Sequence, residues 1–262
     1  MCQDCGCGLK ADKNTASERH PGQHLVAHPD SEPVLRALLE DNDRFAAHNR
    51  RHLESRGITA INLMSSPGAG KTRLLEATID ALKHRYRMAV IEGDLETEND
   101  ARRIRERGVP AVQITTGTAC HLDASMVHGA VHELDLEQLD LLFIENVGNL
   151  VCPASFDLGQ HFNVVLLSVP EGDDKPAKYP VIFRAADLVA ITKSDLLPHM
   201  REFRPPEVRE CLRKLAVATP VLELSAQTGE GLEPWLDWVV EQTDAVKQAA
   251  PAAIAPHAHV PV

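Results

Sequence analysis

Residues 58–72 read Ile-Thr-Ala-Ile-Asn-Leu-Met-Ser-Ser-Pro-Gly-Ala-Gly-Lys-Thr, an apolar run followed directly by a glycine-rich loop. Glycines let backbone N–H groups close around phosphate oxygens at the N-terminus of the following helix, where a lysine reaches the β and γ phosphates and a hydroxyl ligates Mg²⁺. The pattern G-x-x-x-x-G-K-[ST] is met except at Ser65, which replaces the first glycine. A chance glycine-rich turn is the alternative. The order of strand, loop and helix favours a nucleoside triphosphate site, formed by Pro67, Gly68, Ala69, Gly70, Lys71, Thr72 and Arg73.

Short apolar runs continue along the chain, and most are separated by helical stretches. The apolar runs are 58–64, 88–91, 109–115, 139–144, 164–169, 188–191 and 221–224, and the helical stretches are 71–85, 98–107, 122–133, 178–186, 206–217 and 232–246. This alternation predicts an α/β fold of the P-loop NTPase type, with a mainly parallel sheet covered by helices on both faces. Its ligand-binding loops should gather at the carboxyl ends of the strands.

Two acidic residues stand where predicted strands end. Asp94 follows the apolar run 88–91, and Glu145 follows the run 139–144. The segment Glu145-Asn146-Val147-Gly148 is similar to the D-x-x-G element of GTPases with Glu in place of Asp, so the N–H of Gly148 can approach a γ phosphate. We predict that Thr72 and Asp94 ligate Mg²⁺, and that the catalytic residues are Lys71, Asp94 and Glu145. The alternative is that either acid only caps a helix or a turn.

The choice of base is indicated by Thr192-Lys193-Ser194-Asp195, which is similar to the N-K-x-D element of GTPases with Thr for Asn. In that element the Asp accepts hydrogen bonds from N1 and N2 of guanine, while the Lys stem lies along the base. Ser225-Ala226 follows the next strand and resembles the S-A element, whose backbone N–H approaches guanine O6. Together these elements favour GTP over ATP, and the alternative is an exposed charged turn.

Composition limits the class of protein and its location. The 262 residues carry 27 Lys and Arg against 38 Asp and Glu, for a net charge of −11, which argues against general nucleic-acid binding. No apolar run approaches the roughly 18–20 residues of a membrane span, and the N-terminus lacks the features of a signal peptide. We therefore expect a cytoplasmic protein without a membrane span.

The chain divides into four predicted parts. Residues 1–30 lack apolar periodicity and are expected to be a flexible tail. Residues 31–57 form a leading helical segment, continuous or broken, that begins near Ser31. Residues 58–246 form the GTPase domain. Residues 247–262, rich in Ala and Pro, are expected to be disordered.

The N-terminal tail begins with three clustered thiols, Cys2, Cys5 and Cys7. Thiolates favour soft or borderline metals, and with the α-amino group they offer Ni²⁺ a square-planar set, although tetrahedral Zn²⁺ fits as well. A flexible tail of unligated thiols is the alternative. Three histidines recur every four residues later in the tail and either assist metal capture or are solvated: His20, His24 and His28.

A second group of soft ligands follows two predicted strands. Cys120-His121 comes after the third strand, and Cys152 lies seven residues after Glu145. Three ligands from one chain leave a metal site incomplete, and a symmetric dimer would supply the rest. On spacing alone, buried unreactive cysteines beside a capping histidine are the favoured interpretation.

These motifs together resemble the nickel-incorporation GTPases of the HypB family, within the SIMIBI class of P-loop GTPases. The resemblance rests on the Cys-x-x-Cys-Gly-Cys start, the phosphate loop, Val90 to Asp94, Cys120-His121-Leu122-Asp123 and the long run from Glu145 to Gly159. It implies slow hydrolysis of GTP to GDP, dimerisation with GTP, cooperation with the nickel metallochaperone HypA, and nickel delivery to the large subunit of [NiFe]-hydrogenase. It also implies a tight nickel site at Cys2, Cys5 and Cys7, and a weaker nickel or zinc site at Cys120, His121 and Cys152.

Three rival interpretations stay open from the sequence. The urease nickel GTPases of the UreG family are similar but lack the Cys-x-x-Cys-Gly-Cys start. A metal store on a nucleotide-binding fold would not turn over GTP, and an ATPase would prefer another base. The chain has only scattered tail histidines where some HypB relatives have a long His-rich stretch, so bulk nickel storage is not expected.

Overall fold

A single sheet of seven strands forms the centre of the computed structural model, which describes residues 31–94, 98–117 and 119–250. The strands are β1 (Thr59–Ser65), β2 (Met88–Asp94), β3 (Ala111–Thr115), β4 (Leu141–Glu145), β5 (Phe162–Ser168), β6 (Leu188–Thr192) and β7 (Val221–Glu223). Their order is β3-β2-β4-β1-β5-β6-β7, and every neighbouring pair is parallel. Each of the seven predicted apolar runs contributes one strand, which confirms the predicted fold class.

Eight α-helices accompany the sheet in the described part of the chain. They are α1 (Ser31–Glu54), α2 (Lys71–Leu82), α3 (Asn99–Arg105), α4 (Ala124–Val131), α5 (Lys175–Lys178), α6 (Pro180–Arg184), α7 (Pro205–Lys214) and α8 (Leu232–Ala249). The helix α1 is continuous. The stretch predicted as one helix over 178–186 is instead divided at Tyr179, because the ring of Pro180 disfavours a helical conformation in the residue before it.

Helices cover both faces of the sheet, as the alternating pattern predicts. On one face α2, α3 and α8 pack on the sheet, with Leu75, Ile104 and Trp235 fully buried. On the other face Leu53 of α1 and Val127 of α4 cover one half, while α6 and α7 cover the other half. Because both faces are covered, the strands are almost wholly apolar inside, and polar groups concentrate where the strands end.

Two buried asparagines attach α1 to the rest of the fold. Asn42 Oδ1 accepts from the N–H of Ala124 over 2.9 Å, and Asn42 Nδ2 donates to the carbonyl of Asp157 over 2.9 Å. Asn49 Nδ2 donates to the carbonyls of Ala124 and Leu158 over 2.9 and 3.1 Å. The leading helix therefore fixes the start of α4 and the segment near residue 157.

The C-terminal helix α8 extends to Ala249, so the predicted start of a disordered tail at residue 247 is too early. The reason is an ion pair, since Lys247 Nζ donates to Asp140 Oδ1 over 2.9 Å. The predicted Cys2, Cys5 and Cys7 site, the tail histidines and residues 251–262 lie outside the described residues. Within the described ranges, no helix combines the length and apolar character needed to cross a membrane.

Candidate nucleotide and metal site

The phosphate loop joins the end of β1 to the start of α2 at Lys71. Gly68 and Gly70 have φ angles of +73° and +99°, which only glycine adopts at low cost. Ser65, the departure from the motif, is fully buried, and its Oγ accepts from Lys71 Nζ over 3.1 Å. The serine thus holds the lysine beside the loop.

Acidic groups meet beside Thr72 at the ends of β2 and β4. Thr72 Oγ1 donates to Glu145 Oε1 over 2.9 Å, and ligand atoms of Glu92, Asp100 and Glu145 lie within 4.8 Å of one another. Burial and the nearby Glu145 raise the pKa of Glu92 well above its usual range, and burial raises the pKa of Glu145. One carboxylate oxygen of each glutamate is buried without a hydrogen-bond partner in the described structure. Hard oxygen donors that lack partners fit a Mg²⁺ ion.

The structure places the predicted Asp94 at the edge of this group rather than in it. Asp94 lines the same cleft of about 390 Å³ as Lys71, Thr72, Glu145 and Gly148, but the oxygens that converge belong to Glu92, Asp100 and Glu145. Sequence reasoning missed Glu92 and Asp100. The available signal for Glu92 was its position as a charged residue directly after the apolar run 88–91.

A second cavity of about 260 Å³ adjoins the phosphate loop at the ends of β6 and β7. It is lined by the predicted base-binding residues and by Arg73, namely Arg73, Lys193, Asp195, Ser225 and Ala226. Asp195 Oδ1 is buried there without a hydrogen-bond partner in the described structure. The N–H of Ser225 donates to the carbonyl of Glu230 over 2.8 Å, so a base contact from this element would come from Ala226.

The loop after β6 also supports the phosphate loop directly. Thr192 Oγ1 donates to the carbonyl of Ala69, and Lys193 Nζ donates to the carbonyl of Gly68, both over 2.7 Å. The threonine that replaces the usual asparagine therefore holds the phosphate loop against the base cavity. This contact was not predictable from the sequence motif.

The three candidate soft ligands come together at the ends of β3 and β4. Cys120 Sγ lies 3.1 Å from Cys152 Sγ and 3.9 Å from His121 Nδ1, and all three ligand atoms fall within 4.8 Å. The His121 ring stacks on Phe156 with centroids 4.0 Å apart, and burial lowers the pKa of His121. A neutral imidazole between two thiols is a donor set that suits Ni²⁺ or Zn²⁺.

The two sites are joined by the segment between Glu145 and Cys152. A Cβ on Gly148 would lie 2.7 Å from Pro67 Cα, so this segment touches the phosphate loop. Asn149 Nδ2 then donates to the carbonyl of Cys120 over 3.2 Å. A second contact joins β2 to the loop that carries Cys120 and His121, since a Cβ on Gly93 would lie 2.8 Å from the Leu122 side chain.

The chain is similar to known proteins over most of its length. The family model for the CobW/HypB/UreG nucleotide-binding domain matches residues 59–222. The hydrogenase maturation factor HypB of Azotobacter vinelandii is 53% identical over 208 residues, which is 78% of this chain and 67% of that protein. HypB of Escherichia coli K12 is 49% identical over 247 residues, 90% of this chain and 85% of that protein.

A solved structure of a relative shares the fold. The crystal structure of HypB from Helicobacter pylori in complex with nickel is 45% identical, with a TM-score of 0.75 over 78% of this chain and 96% of that chain. The phosphate loop, the acidic group and the thiol and imidazole set described above all lie within the aligned family segment 59–222. The chain therefore belongs to the HypB family of hydrogenase maturation factors, which are P-loop GTPases.

Proposed function

We propose that this chain is a GTP-hydrolysing metallochaperone that binds nickel and assists its GTP-dependent insertion into the large subunit of [NiFe]-hydrogenase. The observation that carries the proposal is the direct contact between the two sites: Gly148 abuts Pro67 of the phosphate loop, and Asn149 holds the backbone of Cys120. A change at the γ phosphate then reaches the thiol and imidazole ligands through a short segment.

The nucleotide is held by the chain's own groups in defined roles. Lys71 contacts the β and γ phosphates, the N–H of Gly148 donates to the γ phosphate, and Asp195 accepts from guanine. Thr72 and Asp94, together with the converging carboxylates of Glu92, Asp100 and Glu145, would hold Mg²⁺, which neutralises charge on the phosphates when bound. We assign catalytic roles to Lys71, Glu145 and Asp94, which line the cleft together.

Slow turnover is expected because the arginines at the cleft are occupied. Arg73 Nη1 and Arg103 Nε both donate to Glu76, and Arg103 Nη1 also donates to Asp100 over 2.7 Å. An arginine that stabilises the transition state must instead reach the transferred phosphoryl group.

We expect GTP-dependent dimerisation, and the set of three ligands at Cys120, His121 and Cys152 supports it. Three ligands leave Ni²⁺ or Zn²⁺ incompletely coordinated, and a copy related by a two-fold axis would bring the same three. Val151, beside Cys152, is 59% exposed and would be covered in such a dimer. The HypA-type metallochaperone and the hydrogenase large subunit precursor are the partners that family membership supports, and a reducing cytoplasm would keep these thiols available.

Multiple-turnover phosphate release from GTP with Mg²⁺, measured on the full chain, tests the enzymatic part. We expect release that GTP saturates and ATP does not inhibit at equal concentration. Lys71→Ala should abolish nucleotide binding and release, whereas Lys83→Ala, an exposed lysine at the end of α2, should leave both unchanged. Hydrolysis retained in Lys71→Ala would refute the site. Nickel binding without any turnover would favour a metal store on a nucleotide-binding fold.

A further inference from the structure

Four histidines face one another on the outer surface of α1 and α4. His48 and His52 are one helical turn apart on α1, and His128 and His132 are one turn apart at the end of α4. The His48 and His128 ring centroids are 5.0 Å apart, those of His52 and His132 are 5.7 Å apart, and those of His128 and His132 are 4.5 Å apart. None of these residues takes part in the nucleotide cleft or in the thiol site.

The tautomer of His128 is set by a buried asparagine. Asn49 is 1% exposed, and its Nδ2 donates to the carbonyls of Ala124 and Leu158, so Asn49 Oδ1 must face His128. The distance from His128 Nδ1 to Asn49 Oδ1 is 3.0 Å, so Nδ1 is the nitrogen that carries the proton. The lone pair of His128 is therefore on Nε2. This arrangement, with one ring nitrogen donating inward, is the one that orients histidines toward metals.

The second ring nitrogen points at His132. His128 Nε2 lies 3.2 Å from His132 Nε2. Two nitrogens bound to one ion at about 2.0–2.1 Å, with an angle of about 90–110°, are separated by roughly 2.8–3.4 Å. The observed distance falls in that range. With an ion bound, the proton that His132 Nε2 shares in this contact moves to its own Nδ1, and both Nε2 lone pairs become ligands.

The remaining two histidines surround this pair. His48 is exposed, and its ring meets the ring of His128 edge to face. His52 Nδ1 is buried and has no hydrogen-bond partner in the described structure, although it lies next to His132. A simple hydrogen bond between His128 and His132 would require neither of these neighbours. Side-chain rotation on a helix surface can bring their nitrogens toward the pair.

We propose that His48, His52, His128 and His132 form an additional binding site for a borderline divalent metal ion, of the class of Ni²⁺ or Zn²⁺. Neutral imidazoles without carboxylates suit these ions and do not suit Mg²⁺ or Ca²⁺. The site is placed to communicate with the thiol site. The helix α4 begins at Ala124, three residues after His121, and Asn49 connects His128 to both Ala124 and Leu158.

Nickel titration of the full-length chain tests the proposal, with Cys2, Cys5, Cys7, Cys120 and Cys152 replaced by Ser to remove the thiol sites. We expect one Ni²⁺ whose X-ray absorption spectrum shows several imidazole nitrogens and no sulfur. His128→Gln with His132→Gln should abolish this equivalent. The matched control is His84→Gln with His199→Gln, two exposed histidines outside the group, and it should retain it.

Two further variants separate the proposal from weaker interpretations. His132→Gln alone removes one proposed ligand and should weaken nickel binding at least tenfold. Because His132 is exposed, the fold should stay intact, which nucleotide binding would report. His48→Gln with His52→Gln should also weaken binding at least tenfold. Equal nickel stoichiometry and affinity in all variants would overturn the site. Loss in the α4 variants but not in the α1 variants would contradict the four-histidine set.

Discussion

Asn149 Nδ2 donates a hydrogen bond of 3.2 Å to the backbone carbonyl of Cys120, and so joins the loop after β4 to the loop that carries two of three candidate metal ligands. The residue before it, Gly148, touches the phosphate loop at Pro67. The nucleotide site and the candidate metal site are thus separated by one short segment. Within it, Gly148 contacts the first site and Asn149 contacts the second. This arrangement makes energetic coupling between the sites testable by substitution.

Asn149→Ala should reduce the coupling without removing either site. The side chain contacts Cys120 only at its backbone carbonyl and touches no predicted phosphate contact, so affinity for a GTP analogue should change less than about threefold. The difference in nickel affinity between GDP and the analogue should shrink. Both are measured by isothermal titration. Gln138→Ala, an exposed amide before the amino end of β4, is the control, and equal coupling in both variants would contradict the role of Asn149.

Gly148→Ala should impair nucleotide binding. An added Cβ would lie 2.7 Å from the Cα and 2.8 Å from the N of Pro67, so the phosphate loop or the β4 loop must move. We expect at least a tenfold loss of GTP affinity, measured with a fluorescent analogue. Gly129→Ala, whose Cβ would meet nothing within 4 Å, should bind as the original chain does. Normal binding by Gly148→Ala would show that this contact is not part of the pocket.

Asp195→Asn should change the base that is preferred. In the proposed site the carboxylate would accept from both N1 and N2 of guanine, whereas an amide offers one acceptor and one donor and matches xanthine, which has an oxygen at C2. GTP affinity should fall at least about tenfold because charge-assisted hydrogen bonds are lost, and affinity for xanthosine triphosphate should rise. Asp80→Asn, exposed on α2, serves as the control. Unchanged GTP preference would mean that 192–195 is only a charged turn.

Asp140→Asn should lower stability in a pH-dependent way. Hydrogen bonds from Arg87 and Lys247 hold the pKa of Asp140 well below its usual range. A depressed pKa contributes stability above the unfolded value, about pH 4, and that contribution is lost as the pH falls further. We expect a loss of about 1–2 kcal/mol at pH 7 after allowance for solvent screening, shrinking below pH 4 in urea unfolding. Glu137→Gln, an exposed partner of Arg56, should show no such trend.

Much of the fold was predictable because strands buried on both faces are continuous apolar runs. The residues at which the helices begin and end were harder to predict. Tyr179 divides a predicted helix through the proline after it, and Lys247 extends α8 through a partner more than a hundred residues away, at Asp140. Periodicity does not report such long-range ion pairs.

The candidate site was predictable where residues follow strand ends and unpredictable where they meet from distant elements. Cys120, His121 and Cys152 come together as expected because β3 and β4 end at the same edge. Glu92 lies inside a strand and Asp100 lies on a helix, so reasoning from strand ends found Asp94 but missed both of these residues. The facing histidines of α1 and α4 are about 80 residues apart in sequence, and only the packing of α1 through Asn42 and Asn49 brings them together.

The most direct measurement of the central claim is the nickel affinity of the full-length chain, with Cys2, Cys5 and Cys7 replaced by Ser, in the presence of GDP and of a non-hydrolysable GTP analogue. Because the segment between Glu145 and Cys152 contacts the phosphate loop at Pro67 and the backbone of Cys120, we predict two different nickel affinities. Nickel must then change the affinity for the analogue relative to GDP by the same factor. Identical nickel affinity with both nucleotides would contradict the coupling of the two sites.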